Sequence, residues 1–190
     1  GEKAYASLSE VPEKIDLVNV FRAAEHVGPI VDACLQLGLQ RIWLQDGGID
    51  AAAAERVAAA VCAAGRRAIT VAADVADEAQ VLAMFQRVDA ELGTLTGLVN
   101  NAGVVDQPQR LQDMSVARLK RMFNINVIGS FVCAREAVRR MSTTRGAANF
   151  GDGYGLGGVI VNLSSAASRL GSPHQYVDYA AAKGAIDVMT

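Results

Sequence analysis

RAITVAADVADEAQVLAMFQRVDAELGTLTGLVN, residues 67–100, is the stretch on which the fold turns. Arg67–Ala72 is an apolar run of strand length. Asp77 to Leu92 then carries apolar residues at helical spacing until Gly93 stops it, and Gly97–Asn100 is a second short apolar run. Strand, helix and strand in immediate succession, with β-branched residues in the strands, predict parallel neighbours joined by a right-handed crossover.

The same alternation extends in both directions. Upstream, Ile15–Val20 has strand character, Pro29 opens a helix with Ile30, Val31, Cys34, Leu35 and Leu37 on one side, and Gly38 ends it. Arg41–Gln45 supplies another strand, and Ala51–Ala64 is an alanine-rich helix closed by Gly65. The first fourteen residues are polar, with Ser7 and Glu10 spaced as a capping box for at most one short turn. Downstream, Ser115 caps a long helical pattern to about Met141, weakened near Asn124–Gly129 by glycine and β-branched residues. Thr143–Gly158 is glycine-rich and predicted to be a mobile surface loop. Val159–Leu163 is a fifth strand, and a last helix runs from about Tyr176 to Thr190. The pattern predicts one α/β domain over residues 1–190: a doubly wound, five-stranded parallel sheet of order 3-2-1-4-5 with helices on both faces.

Composition narrows the function. A formal charge of -2, with lysine and arginine scattered among acids, makes no basic stripe and argues against nucleic acid or an anionic membrane as partner. Cys34, Cys62 and Cys133 are odd in number, far apart and in apolar helical contexts, so neither disulfides nor a metal site are expected. No charged leader precedes an apolar run, and no uncharged stretch approaches the roughly 20 residues that span a bilayer, so a soluble cytoplasmic protein is expected.

Ligands of such sheets bind beyond the carboxyl ends of the strands. The fourth strand ends in Asn100-Asn101-Ala102-Gly103, small residues that admit a flat ring and amides that fix a turn. The fifth ends in Ser164-Ser165, and the helix after it carries Tyr179 and Lys183 at i, i+4, on one face. An ammonium beside a phenol favours the phenolate and lowers its pKa from about 10 towards working pH, as acid/base catalysis requires. Ser165 can hydrogen-bond the oxygen that gains or loses the proton. Each feature also has a structural reading: a surface Tyr/Lys pair, serine caps and turn-forming asparagines.

The segments LVNNAG (98–103), NVIGSF (126–131), VNLSSAASRLG (161–171) and YVDYAAAK (176–183) resemble, in order and approximate spacing, the short-chain dehydrogenase/reductase family, over residues 51–190. The resemblance implies a Rossmann-like fold and a catalytic tetrad. In it Tyr179 donates or accepts the proton, Lys183 lowers its pKa and holds the nicotinamide ribose, Ser165 orients the substrate carbonyl, and Asn126 anchors a water that relays protons through Lys183. Ser165 stands one residue farther from Tyr179 than is common in the family. Asp74 and Val75 match the family's adenine-contacting pair, and Asn100, Ala102 and Gly103 its nucleotide floor. NAD or NADP is the implied cofactor. A homodimer through the Arg118–Met141 and Tyr/Lys helices is implied by the same analogy.

The pattern breaks at its start. The family's first strand leads into a turn of three spaced glycines whose amides hold a pyrophosphate; here it leads into Asn19-Val20-Phe21-Arg22-Ala23-Ala24-Glu25. Side chains crowd that corner and Glu25 repels an anion there, with Arg22 a partial compensation. Neither Gly28-Pro29 nor Gly47-Gly48 restores the spacing, and Asp46, which could face a ribose, also reads as a turn aspartate. Residues 1–50, with GEKAYASLSEVPEKIDLVNVFR and RIWLQ, resemble part of a bacterial CoA-binding protein. The expectation is an engineered Rossmann-like chimera with a dehydrogenase active-site remnant. Losing two or three amide contacts at about 1.5–3 kcal/mol each moves dinucleotide affinity from micromolar towards millimolar. Family members also continue past the Tyr/Lys helix into a substrate-covering segment, so weak or no turnover is expected. The alternatives are an active NAD(P)-dependent oxidoreductase acting on a carbonyl or alcohol, and a nucleotide or CoA binding module without chemistry.

Overall fold

The structure, a computed structural model, describes residues 18–21, 42–45, 51–143 and 157–190. The Ser7/Glu10 capping box, the helix opened by Pro29, Arg22, Glu25, Asp46, Gly47-Gly48 and most of the glycine-rich stretch from Thr143 to Gly158 lie outside the described residues. The chain divides into two compact units, residues 1–70 and 71–190.

In the first unit, β1 (Val18–Phe21) pairs in parallel with β2 (Ile42–Gln45), in register from Val18 opposite Ile42 to Phe21 opposite Gln45. Helix α1 (Ala51–Ala63) follows, and Gly65 ends it at φ +74°, where a side chain would be strained. Arg67–Ala72, expected as a strand, forms none, so the described residues show four strands and not the expected order 3-2-1-4-5. A strand exists only through a ladder to a neighbour. Here Ala68 and Thr70 are tied instead to α1, through Cys62 Sγ donating to the Ala68 carbonyl and Thr70 Oγ1 to Glu55.

The second unit is built on β3 (Gly97–Asn100) and β4 (Val159–Asn162), parallel and in register from Gly97 opposite Val159 to Asn100 opposite Asn162. Each unit thus holds one parallel pair among the described residues, matching the expected adjacency of strands one and two and of strands four and five. Leu98 and Ile160 lie opposite each other and pack into a cluster of Val81, Phe85, Cys133, Ala137 and Met141. Those residues come from α2 (Glu78–Glu91) and α4 (Ser130–Met141). The residues that alternate with Leu98 and Ile160 are open: Val99 is 36% and Val159 59% exposed. The described helices α2 and α4 of this unit pack on the Leu98–Ile160 face.

Asp77 starts α2 by accepting the amides of Ala79 and Gln80 at 2.9 and 3.3 Å, while Gln80 reaches back to accept the Asp74 amide at 2.9 Å. Ser115 caps α3 (Val116–Phe123) through the Arg118 amide at 3.2 Å. Between α3 and α4 the helix widens to a π-turn, Asn124–Gly129, at the place where the helical pattern weakens. The bulge seats Gly129 on Val75: a Cβ on Gly129 would lie 2.8 Å from Val75 Cγ2. A short helix, α5 (Ala167–Leu170), closed by Gly171 at φ +81°, precedes α6 (Val177–Met189).

Glu136 is 2% exposed in α4 and accepts from Arg140 at 2.9 Å, Arg139 at 2.7 Å and Arg135 at 3.2 Å. Arg140 also donates to Asp89 at 2.9 Å and lies 4.9 Å over the Phe85 ring. Burial alone would raise the Glu136 carboxyl, but these arginines hold it below the usual range.

Candidate active site

Lys183 is 7% exposed, and its Nζ donates to the Leu163 carbonyl at 2.6 Å. The end of β4 is joined to α6 a second time where Ser164 Oγ donates to the Lys183 carbonyl at 3.0 Å. Burial lowers the Lys183 ammonium below the ordinary lysine value. Tyr179, one turn earlier, is half-buried against Met122, Val127 and Ala182, and its ring centroid lies 5.8 Å from Lys183 Nζ. The phenol and the ammonium thus share a face, as their spacing predicts.

Asn126 is 1% exposed and holds the turn after β3. Its Oδ1 accepts the Val104 amide at 2.7 Å and its Nδ2 donates to the Val104 carbonyl at 2.8 Å and to Met122 Sδ at 2.9 Å. Both amide protons are engaged, and the Asn126 carbonyl accepts from Ser130 Oγ at 3.2 Å. A Cβ on Gly103 would sit 3.2 Å from Asn126 Oδ1 and 3.7 Å from Lys183 Nζ. Gly103, Asn126 and Lys183 therefore converge, with Tyr179 one helical turn from the last.

Asn100, expected in the nucleotide floor, uses its side chain as a strut: Nδ2 donates to the Ser130 carbonyl at 3.2 Å and to Asn162 Oδ1 at 2.9 Å. Its neighbour Asn101, expected as a turn-fixing amide, instead has its Oδ1 buried without a hydrogen-bond partner. The doubled asparagine was the only sequence signal for it. Ala102 and Gly103 are exposed. A floor of small residues, an orphaned acceptor and an adjacent ammonium fit a flat ring and a ribose hydroxyl.

Ser165 Oγ accepts the Ala167 amide at 3.2 Å, which leaves its own O–H proton free to donate. It borders a groove of about 530 Å³ with Ser164, Ser168 and Asp187, and neither Tyr179 nor Lys183 lines that groove. The Asp187 carboxyl, beside the Ser164 and Ser168 hydroxyls in this groove, is held below the usual range. Asp74 is exposed in a turn where its Oδ1 accepts the Ala76 amide at 2.9 Å, and Val75 packs towards the Val81 cluster. Among the described residues no cluster of three or more His, Cys, Asp or Glu could hold a metal, and no helix is long and apolar enough to cross a membrane.

One functional contact lay beyond sequence reasoning. Asp178, 3% exposed and next to Tyr179, receives both Nε (2.7 Å) and Nη2 (3.2 Å) of Arg118. The partners are 60 residues apart, with no local pattern to join them.

Comparison with known proteins agrees with this geometry. Residues 30–190 match the short chain dehydrogenase family, beginning upstream of residue 51. An uncharacterised oxidoreductase of Escherichia coli K12, YgfF, is 46% identical over 138 residues, 73% of this chain and 53% of the relative. The cis-4-hydroxycyclohexanecarboxylate dehydrogenase of Sinomonas cyclohexanicum is 35% identical over 174 residues, 88% of this chain and 65% of the relative. This chain thus spans between about half and two thirds of their lengths, 53% and 65%. A Burkholderia cenocepacia short chain dehydrogenase, solved in complex with NADP, superposes with a TM-score of 0.66 at 27% identity, covering 92% of this chain and 64% of that one.

Proposed function

Because the chain belongs to the short-chain dehydrogenase family and shares its Rossmann-like fold, we propose that it is an oxidoreductase that moves hydride between NAD or NADP and a carbonyl or alcohol. The observation that carries the proposal is the buried Lys183 ammonium, held at 2.6 Å by the Leu163 carbonyl, beside Gly103 and one turn from Tyr179. The dinucleotide, when bound, supplies the hydride or accepts it. Ala102 and Gly103 would floor its ring, Lys183 would hold the ribose, and Asp74 and Val75 would meet its adenine. Tyr179 delivers a proton to the substrate oxygen in reduction and withdraws it in oxidation. Lys183 holds its charge 5.8 Å from the Tyr179 ring centroid. Ser165, whose O–H proton is free, would orient the same oxygen by turning from the groove that it borders. Asn126 fixes the Val104 turn against which this group is built, and a relay water at Asn126 would meet its carbonyl or the remaining lone pair of Oδ1, since both amide protons are engaged.

The dinucleotide grip is weak in this proposal, since the sequence that follows β1, Arg22-Ala23-Ala24-Glu25, lacks the spaced glycines whose amides would hold a pyrophosphate. That corner also sustains the second reading, a nucleotide or CoA binding module without turnover. The chimeric, engineered origin rests on the CoA-binding-like sequence of residues 1–50, and the family match claims residues 30–50 of it. Phe123, Ile128, Phe131 and Val138 are 36–51% exposed along α3, the π-turn and α4, and this apolar strip supports a homodimer. The protein is proposed to be cytoplasmic and to have no nucleic-acid partner.

Calorimetric titration with NADH, NADPH and CoA tests the function. Dinucleotide affinity near millimolar is expected; low-micromolar affinity would contradict the weak grip, and CoA binding without dinucleotide binding would favour the second reading.

A further inference from the structure

Arg118 occupies an unfavourable place for a cation, the third residue of α3, where the helix dipole is positive. Its partners compensate. Besides the two bonds to Asp178, its Nη1 donates to the Gln107 carbonyl at 2.7 Å and to Gln109 Oε1 at 3.2 Å. The pair is enclosed: side-chain exposure is 11% for Arg118 and 0% for Asp178. Burial alone would raise the Asp178 carboxyl, but Arg118 and the Tyr179 backbone N–H hold it below the usual range. The Arg118 guanidinium is raised by the same bond.

Three segments meet on this side chain. Residues 104–110 leave β3 with Val104 fixed by Asn126 and are held further along by Arg118. The Gln109 amide also donates to the Gln175 carbonyl at 2.9 Å, tying the loop to the approach of α6. Asp178 and Tyr179 lie in the first turn of α6, the part of a helix that frays most easily. Lys183, one turn on, has its own anchor in Leu163.

We infer that Arg118 is a positioning residue for Tyr179: its guanidinium clamps the 104–110 loop and the first turn of α6 to α3, while Lys183 is set independently by Leu163. A planar fork is needed, because four bonds run to a carboxylate, a carbonyl and an amide oxygen; a lysine ammonium has three donors from one atom and cannot span them. The kinetic consequence rests on the oxidoreductase proposal; the mechanical one does not.

The test is hydrogen exchange, read by mass spectrometry on the full chain, in the wild type, Arg118→Lys and the double variant Arg118→Met/Asp178→Leu. Arg118→Lys should speed exchange about tenfold in 104–110 and 176–180, for the loss of roughly one charge-assisted bond, and leave 133–141 unchanged. The double variant removes both buried charges and should melt no lower than Arg118→Lys. It should still exchange fast in 104–110, because Gln107 and Gln109 have lost their donor. Unchanged exchange in Arg118→Lys, equal acceleration in 133–141, or protection of 104–110 restored in the double variant would each overturn the clamp.

Kinetics supply the second readout. If the wild type turns over, Arg118→Lys should lower kcat about tenfold to a hundredfold, the scale of a misplacement near 1 Å, with KM for the dinucleotide within about twofold. A raised KM with kcat unchanged would contradict a role in setting Tyr179. Absent wild-type turnover with the expected exchange pattern would sink the oxidoreductase proposal and leave the clamp standing.

Discussion

Asn126 closes a ring on the backbone of Val104, accepting its amide at 2.7 Å and donating to its carbonyl at 2.8 Å. A buried side chain thereby completes the turn that brings Gly103 beside Lys183. Asn126→Asp keeps the acceptor and loses both amide protons. It should destabilise the fold by about 2–3 kcal/mol, measured by urea unfolding, since a buried carbonyl loses its donor and a charge is buried. A loss below about 0.5 kcal/mol would mean that the ring contributes little.

Gly129 has no room for a methyl group, because its Cβ would lie 2.8 Å from Val75 Cγ2 and 3.0 Å from the Val75 carbonyl. Gly129→Ala should destabilise by about 1–3 kcal/mol, as overpacking does, and displace the Asp74-Val75 turn. Thermal unfolding checks the first effect, and a further drop in dinucleotide affinity the second.

Lys183 gives the stability curve an alkaline slope. Its folded pKa is lowered by burial, so the unfolded chain binds the proton more tightly and stability rises with pH between the folded and the ordinary lysine values. Lys183→Met removes that group and should flatten the alkaline rise that ends at the ordinary lysine value of about 10. Urea midpoints at three alkaline pH values would show it; an unchanged slope would refute it.

Glu136 acts on the acid side with the opposite sign. Its folded pKa is lowered, so its contribution is complete above the ordinary glutamate value and is lost as pH falls through the folded one. Glu136→Gln should destabilise by about 3 kcal/mol at neutral pH, because the buried Arg140 is left with Asp89 as its one carboxylate partner. The difference from wild type should shrink below about pH 4, which acid unfolding of both proteins would measure.

How much of this was legible follows from the range of each interaction. Gly97–Asn100 was read to the residue, because two glycines and an apolar run bound it locally. The weakness at Asn124–Gly129 was visible in its glycine and β-branched residues, but the close seat of Gly129 on Val75, some fifty residues away, is tertiary and was not. Arg67–Ala72 has strand composition, yet a strand also needs a neighbour, which composition does not show. The short helix after Ser165 was hidden because alanine and serine suit both a turn and a helix. Tyr179 and Lys183 were found because helical spacing alone sets their common face. The clamp on Asp178 was not, since it is purely tertiary.

The most direct test of hydride transfer through Tyr179 is dinucleotide oxidation at millimolar NADPH or NADH, followed by absorbance across a panel of aldehydes and ketones, in the wild type and Tyr179→Phe. A slow wild-type rate that vanishes in Tyr179→Phe, with the melting curve unchanged, is the predicted result. Equal rates in the two proteins, or none in the wild type with dinucleotide bound, would contradict it.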